Sequence, residues 1–275
     1  MTAGIGALPG STRRLRLSAA PGGAVETAGL AVVTVIVFFG GWAIVSLAFG
    51  PSLFPGPIRV FEAIGTTVAN GSLFASVGIS LTRIAVGYVL GLVTGLIGGV
   101  VLAQVRLLDR ILMPIISLAR MIPPTAVIPL AIIWFGIGES SKYFIVFWGC
   151  VLVVFLNTYD GISRVPRTRI WAAQCLGATR GRIVREVILP STIPFAWTGA
   201  RAALGLAFMS VVAAEMIAAQ SGLGFMIMQS RVLMQTDRMF VGLLALAITG
   251  LLIDALFTRI GRRALHRYLD FYQQN

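Results

Sequence analysis

The chain is poor in the side chains that enzymes and metal proteins use for chemistry. Its 275 residues include one histidine, two cysteines and ten acidic residues. The histidine, His266, lies near the end of the chain, and Cys150 and Cys175 are 25 residues apart in sequence. These few groups exclude a disulfide framework, a cluster of metal ligands and a nucleophile with its general base.

The chain also lacks the glycine-rich loop with which ATPases hold phosphate groups. That loop ends in Gly-Lys followed by Ser or Thr, whereas the only lysine, Lys142, follows Ser141. The sequence therefore predicts that this chain is not an enzyme and not itself an ATPase.

Apolar side chains are abundant. They make up 57% of the sequence, and the mean hydropathy of +0.90 is too high for a soluble domain. Six windows can cross about 30 Å of hydrocarbon as helices: residues 28–49, 79–104, 108–135, 143–158, 195–219 and 240–260. The fourth window is the shortest. We therefore predict an all-α integral membrane protein with six transmembrane helices.

The basic residues are distributed unevenly around these windows. One set of loops and both ends of the chain carry most of them: Arg13, Arg14, Arg16, Arg106, Arg110, Arg164, Arg167, Arg169, Arg180, Arg182, Arg185, Arg259, Arg262, Arg263 and Arg267. The opposite loops carry only Arg59, Lys142, Arg231 and Arg238. Because positive residues are retained in the cytoplasm, both termini are predicted to be cytoplasmic. The net charge of +12 then indicates contact with anionic lipid rather than nucleic acid.

The sequence divides into a membrane region and two basic ends. Residues 1–27 are predicted to form a flexible cytoplasmic tail, since most of them follow no helical or strand periodicity. Residues 28–260 form the transmembrane domain, with a cytoplasmic segment at about 164–190, and residues 261–275 form a basic cytoplasmic tail. Residues 58–68 have an apolar helical face, which fits an outer interfacial helix or packing against the second window equally well.

Glycines and prolines shape the second and third windows. Four glycines recur on one face of the second window, which favours close packing within the chain, with a subunit interface as the alternative. They are Gly87, Gly91, Gly95 and Gly99, and Gly98 lies beside them. In the third window, Pro123, Pro124 and Pro129 remove backbone donors and are predicted to kink the helix just after Arg120.

Four ionisable residues within the windows can be paired by depth. Arg83 and Glu215 lie near the outer ends of their windows, and Arg201 and Asp254 lie near the inner ends. Pairing lowers the cost of holding a charge in the membrane. Both pairs are therefore predicted to form, whereas Arg120 has no evident partner.

The segment at 164–190 is predicted to fold as two short helices. The first runs from about 166 to 176 and ends at Gly177, since glycine suits a helix C terminus. Thr179 can cap the second helix, whose apolar side chains lie opposite Arg182. Pro190 is predicted to end this helix. On composition alone, the segment fits an ordinary basic loop as well as a helix that docks into a partner's groove.

The stretch 171–190 also carries a spacing typical of one family. The permease subunits of bacterial ABC importers are marked by the pattern Glu-Ala-Ala, then three residues, Gly, nine residues and Ile-x-Leu-Pro. Val187 stands for the isoleucine and Trp171 replaces the glutamate, and the remaining positions match: Ala172, Ala173, Gly177, Leu189 and Pro190.

Three further stretches, 122–130, 134–139 and 213–224, resemble permeases of sulfonate, taurine and nitrate or bicarbonate importers. They also resemble permeases of related systems for aromatic acids or thiamine precursors. The resemblance covers about residues 55–260 and implies the type I ABC importer permease fold in a bacterial inner membrane.

The resemblance implies a cytoplasmic coupling helix that docks on an ATPase subunit. The positions carried over are Ala172, Ala173, Gly177, Ala178, Thr179, Arg180, Arg182, Leu189 and Pro190. The expected partners are a second permease subunit, in a homodimer or a pseudo-symmetric dimer, two cytoplasmic ATP-binding-cassette ATPases and a periplasmic or lipid-anchored binding protein. ATP and Mg²⁺ would be used by the partner ATPase, and this chain would bind no cofactor.

The resemblance also implies a translocation path between two permease subunits, walled by the third and fifth windows. The candidate lining residues are Arg120, Met209, Arg83 and Glu215. The expected substrate is a small anion, namely a sulfonate, an oxyanion or an organic carboxylate, because similar permeases mostly carry anions. A thiamine precursor, another neutral solute or an ATP-independent secondary transporter are the alternatives.

Overall fold

A computed structural model of the chain describes residues 24–50 and 52–273, and this part is almost entirely helical. Most of the tail predicted at 1–27 lies outside the described residues. The helices are α1 (Ala24–Phe49), α2 (Pro57–Ala69), α3 (Ser72–Gln104), α4 (Arg106–Ala119), α5 (Pro124–Phe135), α6 (Glu139–Ser163), α7 (Arg167–Cys175), α8 (Arg180–Ile183), α9 (Leu189–Ala218), α10 (Leu223–Val232) and α11 (Thr236–Gln273). The predicted all-α class is confirmed.

Four helical stretches are long and apolar enough to cross a membrane, and they contain the second, fourth, fifth and sixth windows. They are Ser72–Gln104, Glu139–Ser163, Arg180–Ala218 and Thr236–Leu265. α1 adds a shorter apolar stretch, Val33–Phe49. The helices extend beyond the windows because backbone hydrogen bonding continues through the polar residues at which a hydropathy window stops.

The third window is bent at the position predicted from its prolines, and the bend divides it into two helices. α4 and α5 meet at an angle of 101°. Pro123 has an extended backbone, with φ −66° and ψ 146°, and starts α5 together with Pro124. Because neither proline has an N–H, helical hydrogen bonding cannot pass through them. The two helices therefore form a bent pair with Arg120 at the bend.

The core is formed by α3, α6 and α9. The glycine face of α3 lies directly on α6, so that a Cβ atom at any of its four positions would overlap an α6 side chain. The facing pairs are Gly87 and Val146, Gly91 and Cys150, Gly95 and Val154, and Gly99 and Thr158. Close packing within the chain is thus confirmed for this face, and the alternative of a subunit interface is wrong.

α2 packs beside the N-terminal part of α11. Val60 and Ala63 are buried against Val241 of α11, whereas Ile58 is 74% exposed and Phe61 is 57% exposed. The apolar face inferred from sequence is therefore divided, because the helix turns its smaller residues towards the protein and leaves Ile58 and Phe61 on the outside. α2 therefore packs mainly against α11. The sequence predicted only the second window, which is α3, as its packing surface.

Candidate functional site

The first half of the 164–190 segment is a helix with a fully bonded end. α7 is followed by Gly177, whose φ of +77° lies in the left-handed region that suits glycine. Gly177 donates its N–H to the carbonyl oxygen of Gln174 at 2.9 Å, and Ala178 donates to that of Ala173 at 3.0 Å. These two bonds define a Schellman motif. The predicted helix end is confirmed, and the motif explains why a glycine occupies position 177.

The second half is capped and anchored on one side. Thr179 Oγ1 accepts the backbone N–H of Arg182 at 3.4 Å, which confirms the predicted N-cap. Ile183 and Ile188 are buried in one apolar cluster with Ile162, at the end of α6. The segment is therefore held against the membrane helices by its apolar side.

The opposite side of the segment is exposed. Trp171 is 57% exposed and Leu176 is 87% exposed. Arg182 forms an exposed ion pair with Glu186 at 3.0 Å, and Arg180 is also exposed. Two large apolar side chains and several cations thus face away from the rest of the chain, as in a surface that contacts another protein.

Pro190 does not end the second helix, contrary to the prediction. α8 passes through a π-helical turn, Val184–Ile188, directly into α9. Pro190 lies in the first turn of α9, where the hydrogen-bonding pattern changes from π to α and the missing N–H costs little. Leu189 and Pro190 therefore join the segment to the fifth span within one continuous helix, Arg180–Ala218.

A cavity of about 530 Å³ lies beside the break between α4 and α5. Arg120 and Pro123 line one side, and Trp148, Asn157 and Asp160 of α6 line another. The guanidinium of Arg120 has no hydrogen-bond or ion-pair partner among the described residues. We call this space the break cavity.

Met209 lies outside the break cavity, on an uncovered strip of α9. It is 72% exposed and follows Thr198, Ala202 and Gly205, which are exposed at intervals of three or four residues. Leu206, beside the strip, lines the break cavity. A face of small residues on a membrane helix can accept a second helix closely.

The predicted pair of Arg83 and Glu215 forms between the N-terminal half of α3 and the C-terminal end of α9. The distance between Arg83 Nη1 and Glu215 Oε1 is 2.8 Å, and neither side chain is more than 1% exposed. Arg83 also donates two hydrogen bonds to Glu139, at 2.6 and 2.7 Å, and one to the carbonyl oxygen of Ser221 at 2.7 Å. Its donors are therefore used within the protein.

Glu215 organises the turn that follows α9. Its carboxylate accepts hydrogen bonds from Ser80 Oγ and from the Gly224 N–H, each at 2.8 Å. Ser80 Oγ in turn accepts the N–H of Leu223 at 2.9 Å. A Cβ atom at Gly222 would overlap the carboxylate, and the φ of this glycine is +107°. The glycines of stretch 213–224 thus allow the backbone to approach Glu215.

Glu139 is the member of this cluster that sequence reasoning missed. It also pairs at 3.1 Å with Lys142, which is buried inside α6 rather than lying in an outer loop. The fourth apolar window began at residue 143, so both residues fell outside it. An acidic residue at the same depth as Arg83 was the signal that could have identified Glu139 as its partner. Among the described residues, no three His, Cys, Asp or Glu side chains are grouped as metal ligands.

The second predicted pair also forms. Arg201 donates to both carboxylate oxygens of Asp254, at 2.9 and 2.7 Å. Both side chains are about half exposed, at 50% and 42%. This pair therefore differs from that of Arg83 and Glu215 in being accessible to its surroundings.

Several permeases are similar to this chain over most of their length. An ABC transporter permease protein of Brucella melitensis is 40% identical over 235 residues, which cover 86% of this chain and 95% of that protein. The taurine transport system permease protein TauC of Escherichia coli is 36% identical over 234 residues, covering 83% of each. The nitrate import permease protein NrtB of Synechococcus elongatus is 30% identical over 244 residues, covering 84% of this chain and 88% of that protein.

The fold is similar to that of the MetNI methionine ABC transporter in an inward-facing conformation, with a TM-score of 0.62, 26% identity and coverage of 71% of this chain and 97% of that chain. The profile of the family described as "Binding-protein-dependent transport system inner membrane component" matches residues 87–266. Permeases of this family are non-enzymatic, multi-pass inner membrane subunits that act with a partner permease, a separate ATPase and a binding protein. This chain belongs to that family and is a permease subunit of an ATP-binding-cassette importer.

Proposed function

We propose that this permease carries a small anion, namely a sulfonate, an oxyanion or an organic carboxylate, after delivery by a periplasmic or lipid-anchored binding protein. The observation that carries the proposal is the unpaired guanidinium of Arg120 in the break cavity. Because Arg120 is exposed, it attracts an anion with water-like screening, and this attraction is confined to its own side of the cavity since Asp160 lies on the α6 side. The names of two relatives, which state taurine and nitrate, support the same class of substrate.

The 164–190 segment is the proposed contact with the ATPase, which would bind ATP and Mg²⁺. Its exposed side presents Trp171, Leu176 and Arg182. At Trp171 an apolar indole replaces the carboxylate of the family pattern, so we expect packing rather than hydrogen bonding there. The residues proposed to shape or form this contact are Ala172, Ala173, Gly177, Ala178, Thr179, Arg180, Arg182, Leu189 and Pro190.

The translocation path is proposed to lie between two copies of the chain. The strip of α9 that ends at Met209 is uncovered, and its small residues would let a second copy approach closely. Leu206 connects this strip to the break cavity. Arg120 and Met209 would then lie on the walls of one path, with α5 and α9 as its sides.

Arg83 and Glu215 are proposed to contribute to this path indirectly, by stabilising the protein around its outer opening. A substrate that bound either charge would have to disrupt a buried ion pair, which is strongly unfavourable. The cluster joins α3 and α6 to the turn after α9. Its proposed role is therefore to fix the positions of these elements around the outer opening.

Both termini are proposed to be cytoplasmic, with residues 1–27 and 261–275 as cytoplasmic ends of a transmembrane domain at 28–260. The described part of the C-terminal end continues α11 without a break. This orientation puts the exposed side of the 164–190 segment in the cytoplasm, where an ATPase would be accessible.

Titration calorimetry on the partner binding protein would test the substrate class. The ligands to compare are taurine, nitrate, bicarbonate, an aromatic carboxylate and a thiamine precursor. We expect tightest binding of a ligand that carries a sulfonate, oxyanion or carboxylate group, including the zwitterion taurine. Preference for the thiamine precursor, or for any solute without such an anionic group, would contradict the proposal.

A further inference from the structure

A second cavity, of about 580 Å³, lies on another side of the molecule, between α3, α9 and α11. Val100 of α3, Ile193 and Trp197 of α9, and Phe257 of α11 are among its lining residues. It lies beside the 164–190 segment, since Arg185 also lines it. We call this space the inner groove.

Most of the side chains that line the inner groove are apolar, and the threonine hydroxyls among them are already bonded within the protein. The hydroxyls of Thr158 and Thr192 are donated to carbonyl oxygens of their own helices, each at 2.8 Å. The rings of Trp197 and Phe257 are stacked with their centroids 4.2 Å apart. Such a groove offers few partners to water or to a polar solute, and its apolar walls suit a hydrocarbon chain.

The surface around the inner groove is also apolar. Ile97 of α3 is 59% exposed, and Leu256 and Ile260 of α11 are 54% and 56% exposed. These side chains belong to stretches that can span the membrane, so the groove opens towards lipid. Lipid chains are therefore the apolar molecules present at its opening.

Arg185 supplies a charge at one end of the inner groove. It lies in the π-helical turn Val184–Ile188 and is exposed. Its neighbour Arg182 is paired with Glu186, whereas the guanidinium of Arg185 has no partner among the described residues. An unpaired guanidinium beside an apolar groove complements a phosphate attached to a hydrocarbon chain.

We propose that the inner groove binds one anionic phospholipid, with an acyl chain between α3, α9 and α11 and its phosphate on Arg185. The bound lipid would touch both the membrane spans and the turn that joins them to the 164–190 segment. The inference rests on the membrane placement proposed above, but not on which side faces the cytoplasm. Basic residues at the membrane surface attract anionic lipid in this way.

Contact quenching of Trp197 fluorescence tests this site. Trp42, Trp134, Trp148 and Trp171 are changed to Phe in the full-length chain, which is then reconstituted in bilayers of phosphatidylcholine mixed with brominated phosphatidylglycerol or brominated phosphatidylcholine. We expect an association constant about fivefold larger for the anionic lipid, the factor that corresponds to about 1 kcal/mol for one basic residue. In the Arg185→Gln variant the ratio should fall to about one.

Two further variants separate the groove from general surface charge. Arg167→Gln removes another exposed arginine of the same segment and should keep the ratio of about five. Ala196→Phe fills the groove and should weaken quenching by both brominated lipids. The proposal is overturned by a ratio near one without the Arg185 change, by quenching insensitive to Ala196→Phe, or by no quenching at all, as when another helix covers the groove.

Both leaflets contain the same lipid and no transport is measured. The outcome therefore depends neither on the orientation nor on the substrate. Failure of the lipid site would leave the proposed anion transport untouched, and failure of anion transport would leave the quenching result standing.

Discussion

Arg83 and Glu215 form a fully buried ion pair between two membrane helices, with 2.8 Å between Nη1 and Oε1. The residues are 132 positions apart in sequence, so their contact fixes α3 against α9. Glu139 extends the pair to α6. One arginine thus connects the three core helices at the end of the bundle where α6 begins and α9 ends.

Arg83→Met should destabilise the permease more than any other loss of a single arginine in the described spans. The change leaves the Glu215 carboxylate buried without its cation, and breaking a buried pair in this way costs about 3–5 kcal/mol. The effect is measured by heating the detergent-purified permease and recording the temperature at which half of the folded dimer is lost. Arg201→Met is the control, since its partner Asp254 is partly exposed, and equal losses in the two variants would contradict the structural role.

Gly177→Val should uncouple ATP hydrolysis from transport without preventing membrane insertion. A β-branched residue is strained at a φ of +77°, so the end of α7 must change and the exposed side of the segment is displaced. Binding-protein-stimulated ATPase activity in proteoliposomes measures the coupling. Gly181→Ala is the matched control, because Gly181 lies in α8 with open space around it and no positive φ. Normal coupling in Gly177→Val would refute the docking assignment.

Arg182→Glu should also abolish coupled hydrolysis, because it reverses a charge on the exposed side of the segment. The same change breaks the ion pair with Glu186, so the control must break that pair without removing the cation. Glu186→Gln does so and should retain most of the coupled activity, since an exposed pair contributes little to stability. If both variants lose coupling equally, the loss comes from breaking the ion pair between Arg182 and Glu186. That result would contradict the proposed contact between Arg182 and the ATPase.

Cysteine labelling should place Gln229 outside and Gly181 inside the cell. Both positions are exposed, and the native Cys175 is exposed while Cys150 is buried. Cys175→Ser is therefore the background into which single cysteines are introduced. A membrane-impermeant maleimide added to intact spheroplasts should label the cysteine at 229 and spare the one at 181. The reverse result would invert the proposed topology.

The sequence predicted those features that rest on local chemistry. Gly177 and Thr179 were identified because a left-handed helix end and an N-cap each require a particular kind of residue. The pairs of Arg83 with Glu215 and of Arg201 with Asp254 followed from depth alone. Few other carboxylates were available at those depths.

Features that depend on a change in backbone geometry or on tertiary packing were not predicted. The π turn before Pro190 allows the helix to continue where a proline ordinarily indicates an end. The break at Pro123 became a turn of 101° because α5 finds a separate packing site on α6 through Ile128 and Ile145. Periodicity within one segment carries no information about either effect.

The most direct test of the account is ATP-dependent uptake by the reconstituted importer. Proteoliposomes containing the permease, its ATPase and its loaded binding protein should accumulate the labelled anion only when ATP is available to the ATPase. Arg120→Gln should lower the uptake rate by about fivefold, the factor that corresponds to about 1 kcal/mol for one charge interaction at about 4 Å with water-like screening, whereas the exposed α4 control Arg110→Gln should not. ATP-independent uptake, or anion uptake unchanged by Arg120→Gln, would contradict the account.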